Sequence, residues 1–81
     1  MGTFINCDFR QNQLDGLRAY DHAIVHLKGK KTNVSFNGRH GLSAEYNAII
    51  NIHLPKSSLI STNNQSKNFN TTVKGHITHV E

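Results

Sequence analysis

Residues 12–27, Asn12-Gln-Leu-Asp-Gly16-Leu17-Arg-Ala19-Tyr-Asp-His-Ala23-Ile24-Val25-His-Leu27, return 25 positions later as Asn37-Gly-Arg-His-Gly41-Leu42-Ser-Ala44-Glu-Tyr-Asn-Ala48-Ile49-Ile50-Asn-Ile52. A fixed period of this length marks stacked structural units, each too small to bury its own apolar face and each completed by its neighbours. Asn, Gly, Leu, Ala and Ile recur unchanged, and Val25/Ile50 and Leu27/Ile52 exchange aliphatic side chains of similar size. The recurrence therefore speaks of packing.

Within each unit the apolar residues alternate. Ile5, Cys7 and Phe9, then Ala23, Val25 and Leu27, then Thr32, Val34 and Phe36, then Ala48, Ile50, Ile52 and Leu54 fall on alternate positions, with Asn33, Ser35, Asn51 and His53 among the polar residues between. Period two is the signature of strands with one face turned inward. Turn-forming residues interrupt the pattern at residues 12–15, 20–22, 28–31, 37–40 and 45–47, which gives about three short strands per unit. Adding 25 sets Cys7 on Thr32, Phe9 on Val34, Leu17 on Leu42, Ala19 on Ala44, Val25 on Ile50 and Leu27 on Ile52. Outward positions pair without such restraint, as in Asp8 with Asn33 and His26 with Asn51. Parallel strands of successive coils lie roughly 4.8 Å apart with equal positions superposed. Asn12 over Asn37 is the polar form of such a ladder, because a side-chain amide both donates and accepts; Gly16 and Gly41 follow at the same offset.

The units Asn-x-x-Asp-Gly16-Leu17-x-Ala19 and Asn-x-x-His-Gly41-Leu42-x-Ala44 resemble the N-x-x-x-G-[LIV]-x-[AV] rungs of right-handed parallel β-helix repeat proteins, the pectin-lyase-like superfold, over roughly residues 3–62. Residues 48–81 are similar to the closing coils of β-helix proteins from algae or large viruses. The resemblance implies an all-β right-handed parallel β-helix, or β-solenoid, with about three coils of roughly 25 residues. Its coils fall at about 2–23, 24–48 and 49–81 of a single domain. A constant step of 25 places Ser61, Ser66 and Lys67 beneath Phe36, Gly41 and Leu42, so the apolar pattern fades and residues 61–72 are expected to form a polar loop or cap. Three coils without obvious end caps point to a fragment of a longer β-helix or to self-association through the open coil ends.

Length and composition agree with a thin core. The 81 residues hold no Trp, four Phe and two Tyr, and 36% hydrophobic residues. The net charge of +4 is dispersed apart from Lys28, Lys30 and Lys31, without the basic stripe and exposed aromatics of a nucleic-acid reader. No apolar run approaches the roughly 18 residues of a membrane span, and no leader is evident. The lone Cys7 excludes an internal disulfide.

The resemblance fixes an architecture and not an activity, since one superfold carries many functions. His22/His26 and His76/His79 are not spaced to converge on an ion from strands, so neither a metal nor a cofactor is expected. The carboxylates Asp8, Asp15 and Asp21 stack on Asn33, His40 and Tyr46, which leaves no carboxylate pair for glycoside hydrolysis and no catalytic residues to name. A stacked Asp15–His40 hydrogen bond is the nearest approach to acid–base chemistry. The expected function is a noncatalytic structural or interaction module with a protein or polysaccharide partner. The alternative is a carbohydrate-binding or carbohydrate-active fragment, whose ligand surface would be drawn from Asp15, Tyr20, Asp21, His40 and Tyr46.

Overall fold

The computed structural model describes residues 2–54 and 60–80, and the 55–59 portion of the expected third coil lies outside the described residues. Among them are ten strands and no helix: β1 (Gly2–Ile5), β2 (Asp8–Arg10), β3 (Leu17–Tyr20), β4 (Ile24–Lys28), β5 (Asn33–Ser35), β6 (His40–Glu45), β7 (Ile49–Ile52), β8 (Ser61–Thr62), β9 (Lys67–Thr72) and β10 (His76–His79). They form three sheets, in the orders β1-β4-β7-β10, β2-β5-β8 and β3-β6-β9. Every pairing is parallel. The chain visits the first, second and third sheet in turn and then returns to the first, so each circuit of three strands lies on the one before. This all-β arrangement of parallel sheets is compatible with a β-solenoid.

The step is 25 from β2 to β5, from β3 to β6 and from β4 to β7, where the sequence repeat predicts it, whereas β1 lies on β4 with a step of 23. Phe9 pairs with Val34, Leu17 with Leu42, Ala19 with Ala44, Val25 with Ile50 and Leu27 with Ile52. Leu27, Val34, Leu42, Ala44, Ile50 and Ile52 are fully buried and form the centre of the core. At the N-terminal end, Phe4 and Phe9 close the interior with an edge-to-face contact of 5.4 Å between ring centroids.

Beyond β7 the step changes. Val34 pairs with Ser61, His40 with Lys67 and Leu42 with Phe69, a shift of 27. The connection from Ile52 to Ser61 is two residues longer than that from Leu27 to Val34. Leu42 thus pairs with Phe69 and not, as a constant step requires, with Lys67. The stretch 61–72, expected to be a loop or cap, instead supplies β8 and β9.

What locks the circuits together is a chain of asparagines. Asn12 donates its backbone N–H (3.1 Å) and its Nδ2 (2.9 Å) to Asn37 Oδ1. Asn37 donates the same two groups to Asn64 Oδ1, at 3.1 and 2.8 Å. Asn64 donates them to Asn68 Oδ1, at 3.2 and 2.9 Å. Each Nδ2 also reaches back to the preceding circuit, Asn37 to Phe9 O (3.0 Å) and Asn64 to Val34 O (3.2 Å). Asn68 holds the position that Gly16 and Gly41 hold in the earlier circuits. Its amide oxygen stands where a fourth ladder Asn would place one, so the ladder is closed at this end from within its own circuit.

The glycines belong to the same device. A Cβ on Gly16 would lie 2.6 Å from Asn37 Nδ2 and 2.8 Å from Val34 Cγ1, and one on Gly41 would overlap Ser61 Oγ and Asn64 Nδ2. Each Gly leaves the space into which the next circuit's Asn inserts.

The corners repeat as strictly as the strands. Positive φ recurs at Gln11, Phe36 and Asn63, and at the consecutive pairs Asp21-His22, Tyr46-Asn47 and Val73-Lys74. The pairs form two-residue turns closed by Ala23 N–H to Tyr20 O (3.3 Å), Ala48 N–H to Glu45 O (3.2 Å) and Gly75 N–H to Thr72 O (3.0 Å). Two successive positive φ values define the type I′ geometry, for which Asn and Gly are the low-strain residues. Val73, with φ 43, is β-branched and sits there against its own preference.

Asn37 is 2% exposed and makes ladder bonds on both sides. Asn37→Ala is therefore expected to lower unfolding free energy by about 2–4 kcal/mol, since it strands several buried donors and acceptors. Asn68→Ala removes only the terminal acceptor and should cost about 1 kcal/mol. Urea denaturation of both variants checks the order; equal costs would contradict a ladder closed by Asn68.

Candidate functional site

The corner between the second and third sheets carries an open groove of about 510 Å³, lined by Gln11, Asn12, Gln13, Phe36, Asn37, Gly38, Asn63 and Gln65. Its shape follows from the positive-φ column Gln11, Phe36 and Asn63, which turns these side chains out of the stack. Phe36 is 62% exposed and is the sole aromatic ring in the lining. Gly38 allows the floor to form, because a Cβ there would overlap Gln13 O. No lining residue is charged. Side-chain amides, each with paired donors and acceptors, surround an apolar face, an arrangement suited to a neutral ligand rich in hydroxyl or amide groups.

The residues marked as a ligand surface from the sequence divide between the two ends of the third sheet. Asp15 and His40 stand at its entry. Asp15 accepts from Arg39 through Nε (3.0 Å) and Nη2 (2.9 Å), and its side chain is only 4% exposed. It also accepts from the backbone N–H of His40 (3.1 Å), not from the imidazole. The expected Asp15–His40 side-chain pair is thus replaced by Asp15–Arg39, because the guanidinium fork satisfies both carboxylate oxygens at once. The His40 Nδ1 is buried without a hydrogen-bond partner among the described residues.

Tyr20, Asp21 and Tyr46 lie at the opposite end, six residues from Asp15 to Asp21, or about 20 Å of extended strand. Tyr20 aligns with Glu45, which leaves Tyr46 over Asp21 at the turn. Both tyrosines are exposed, and Arg18 lies over the Tyr20 ring at 5.0 Å from its centroid. Arg18 also donates to Glu45 through Nε (2.9 Å) and Nη2 (3.3 Å), and Ser43 Oγ donates to Glu45 Oε2 (2.9 Å). The outer face of the third sheet is therefore a closed polar network.

These ion pairs fix the charge state of both carboxyls. The Arg39 hydrogen bond holds Asp15 below its ordinary pKa, against the opposing effect of burial. Hydrogen bonds from Arg18 and then Ser43 hold Glu45 below its own. A carboxyl depressed in this way stays ionised near neutrality and is a poor general acid.

The histidine pairs noted in the sequence do not meet. His76 is exposed, whereas His79 packs edge-on against Phe69 at 6.0 Å. Instead His26 and His53 come together, Nδ1 to Nε2, at 2.8 Å. Burial, followed by the nearby Lys28 charge and His26, pushes the His53 imidazole below its usual pKa. Among the described residues no group of three or more His, Cys, Asp or Glu side chains is placed to hold a metal ion. Sequence reading passed over the His26/His53 pair because its spacing of 27 is a diagonal across the ladder. It passed over the Phe36 groove because period two assigns Phe36 to the interior.

No protein-family model matches the chain, and no curated protein or solved structure matches it.

Because Asp15 and Glu45 have depressed folded-state pKa values, their stabilisation is complete above the ordinary carboxylate range and is lost as pH falls through the lower folded values. Thermal melts from neutrality downward should show Tm falling on the acid side, and the double variant Asp15→Asn, Glu45→Gln should flatten that limb. An unchanged acid limb would refute the role given to the two pairs.

Proposed function

We propose that this chain forms coils of a right-handed parallel β-helix of the pectin-lyase-like type and serves as a noncatalytic structural or interaction module. The observation that carries this reading is how its polar side chains are used. The ladder consumes Asn37 and Asn64, while Asp15 and Glu45 are held in bidentate arginine pairs, so these groups build the stack. The partner is a second copy of this chain. Among the described residues, strands β1, β2 and β3 have neighbours on one side only, and unpaired strand edges are templates for further pairing. The two ends also differ in the ladder. Asn68 supplies the closing acceptor at one, whereas Asn12, at the other, is exposed and donates onward only.

Sedimentation velocity over a range of concentrations tests the assignment. A dimer or larger species is expected to grow with concentration, and a folded monomer at every concentration would overturn it.

A second reading, carbohydrate binding, is favoured by the groove around Phe36. An exposed ring flanked by uncharged amides can stack on a sugar face while the rim exchanges hydrogen bonds with hydroxyls. Binding to neutral oligosaccharides, screened on an array, should fall about tenfold in Phe36→Ala, consistent with loss of one aromatic contact. Asp21→Ala with Tyr46→Ala, at the far corner, should leave it intact. The reverse pattern would move the ligand surface to the tyrosine corner, and no binding by the unmutated chain would eliminate this reading.

A further inference from the structure

We propose that His26 and His53 form a two-imidazole site for a divalent transition-metal ion, Cu(II) foremost, on the outer face of the first sheet. His26 lies on β4 and His53 directly follows β7. The His53 N–H donates to Leu27 O at 2.8 Å, so the backbone fixes the relation between the two strands up to the site. The ring centroids are 5.0 Å apart with planes inclined at 38°, and Nδ1 of His26 stands 2.8 Å from Nε2 of His53.

That separation is close to what two adjacent ligands need. Nitrogens about 2.0–2.1 Å from one ion, at roughly a right angle, stand about 2.9 Å apart. The facing nitrogens lie almost on the line between the ring centres, so each ring must turn by about 45° to aim its lone pair at a shared ion. The proton shared between the facing nitrogens moves to the far nitrogen of its own ring, and both lone pairs turn to the ion without loss of a proton from the pair. Imidazole suits Cu, Ni and Zn, tetragonal nitrogen sites select Cu(II) and Ni(II), and Cu(II) binds most strongly in the divalent series.

The neighbouring groups define the rest of the site. Asn51, beside His26 in the sheet, accepts from Thr78 Oγ1 (2.6 Å) and is engaged. Lys28 is the charged neighbour, and its ammonium opposes any cation. That repulsion acts on every divalent ion alike, so the preference among ions rests on their affinity for imidazole, and the remaining positions are left to water.

Titration of the full chain with Cu(II), followed by electron paramagnetic resonance, tests the proposal. A tetragonal signal with coupling to two nitrogens should saturate at one ion per chain. His26→Gln and His53→Gln should each weaken binding by at least about tenfold, whereas His22→Gln and His76→Gln should leave it unchanged. On the unmutated chain, imidazole resonances of His26 and His53 should broaden first as Cu(II) is added, a readout that needs no variant to fold. Earliest broadening at another histidine, or equal weakening in all four variants, would overturn the site and leave the 2.8 Å contact as a hydrogen bond alone.

Discussion

The fit of an asparagine amide into the space left by a glycine of the preceding circuit is the constraint on which the rest of this molecule depends. Gly16 admits Asn37 and Gly41 admits Asn64. The inserted amide bonds to the carbonyl behind it and receives two donors from the rung before. A buried amide left unpaired would be costly, so each circuit is held in register by its neighbours. With a core built mainly of aliphatic side chains, much of the specificity of stacking comes from these polar contacts.

That constraint also explains the strain at the corners. Once the ladder and the three sheets fix where each strand starts, the connection after the third sheet must turn in two residues. Asp21-His22, Tyr46-Asn47 and Val73-Lys74 accept left-handed backbone in consequence, although Tyr and Val do not favour it. The fold imposes the conformation and the sequence tolerates it. The exposed Phe36 has the same origin, since its positive φ turns it away from the interior.

Function in such a stack is confined to surfaces that the ladder leaves unused. The outer face of the third sheet is closed by Arg18, Ser43 and Glu45, and the entry to that sheet by Asp15 and Arg39. The open strand edges, the Phe36 groove and the His26–His53 pair remain. The groove and the histidine pair are formed by residues from more than one circuit, so they exist only in the folded stack.

The amino-acid sequence by itself determined the strands from β2 to β7, their parallel stacking and the step of 25 between them, because alternation and a repeat are local properties of the chain; the step of 23 from β1 to β4, which turns Phe4 inward and Ile5 outward, was not legible. Asn12, Asn37, Gly16 and Gly41 were legible for that reason, and so was the pairing of Leu17 with Leu42. The third circuit was not, since two residues added between Ile52 and Ser61 break the arithmetic while leaving the strands intact; only the tertiary structure shows Asn64 as the next rung and Asn68 as its closure. The candidate site was less legible still. Phe36 and His53 owe their positions to backbone turns and to diagonal neighbours in the next circuit, and such distances are settled by packing, with no trace in the order of residues along the chain.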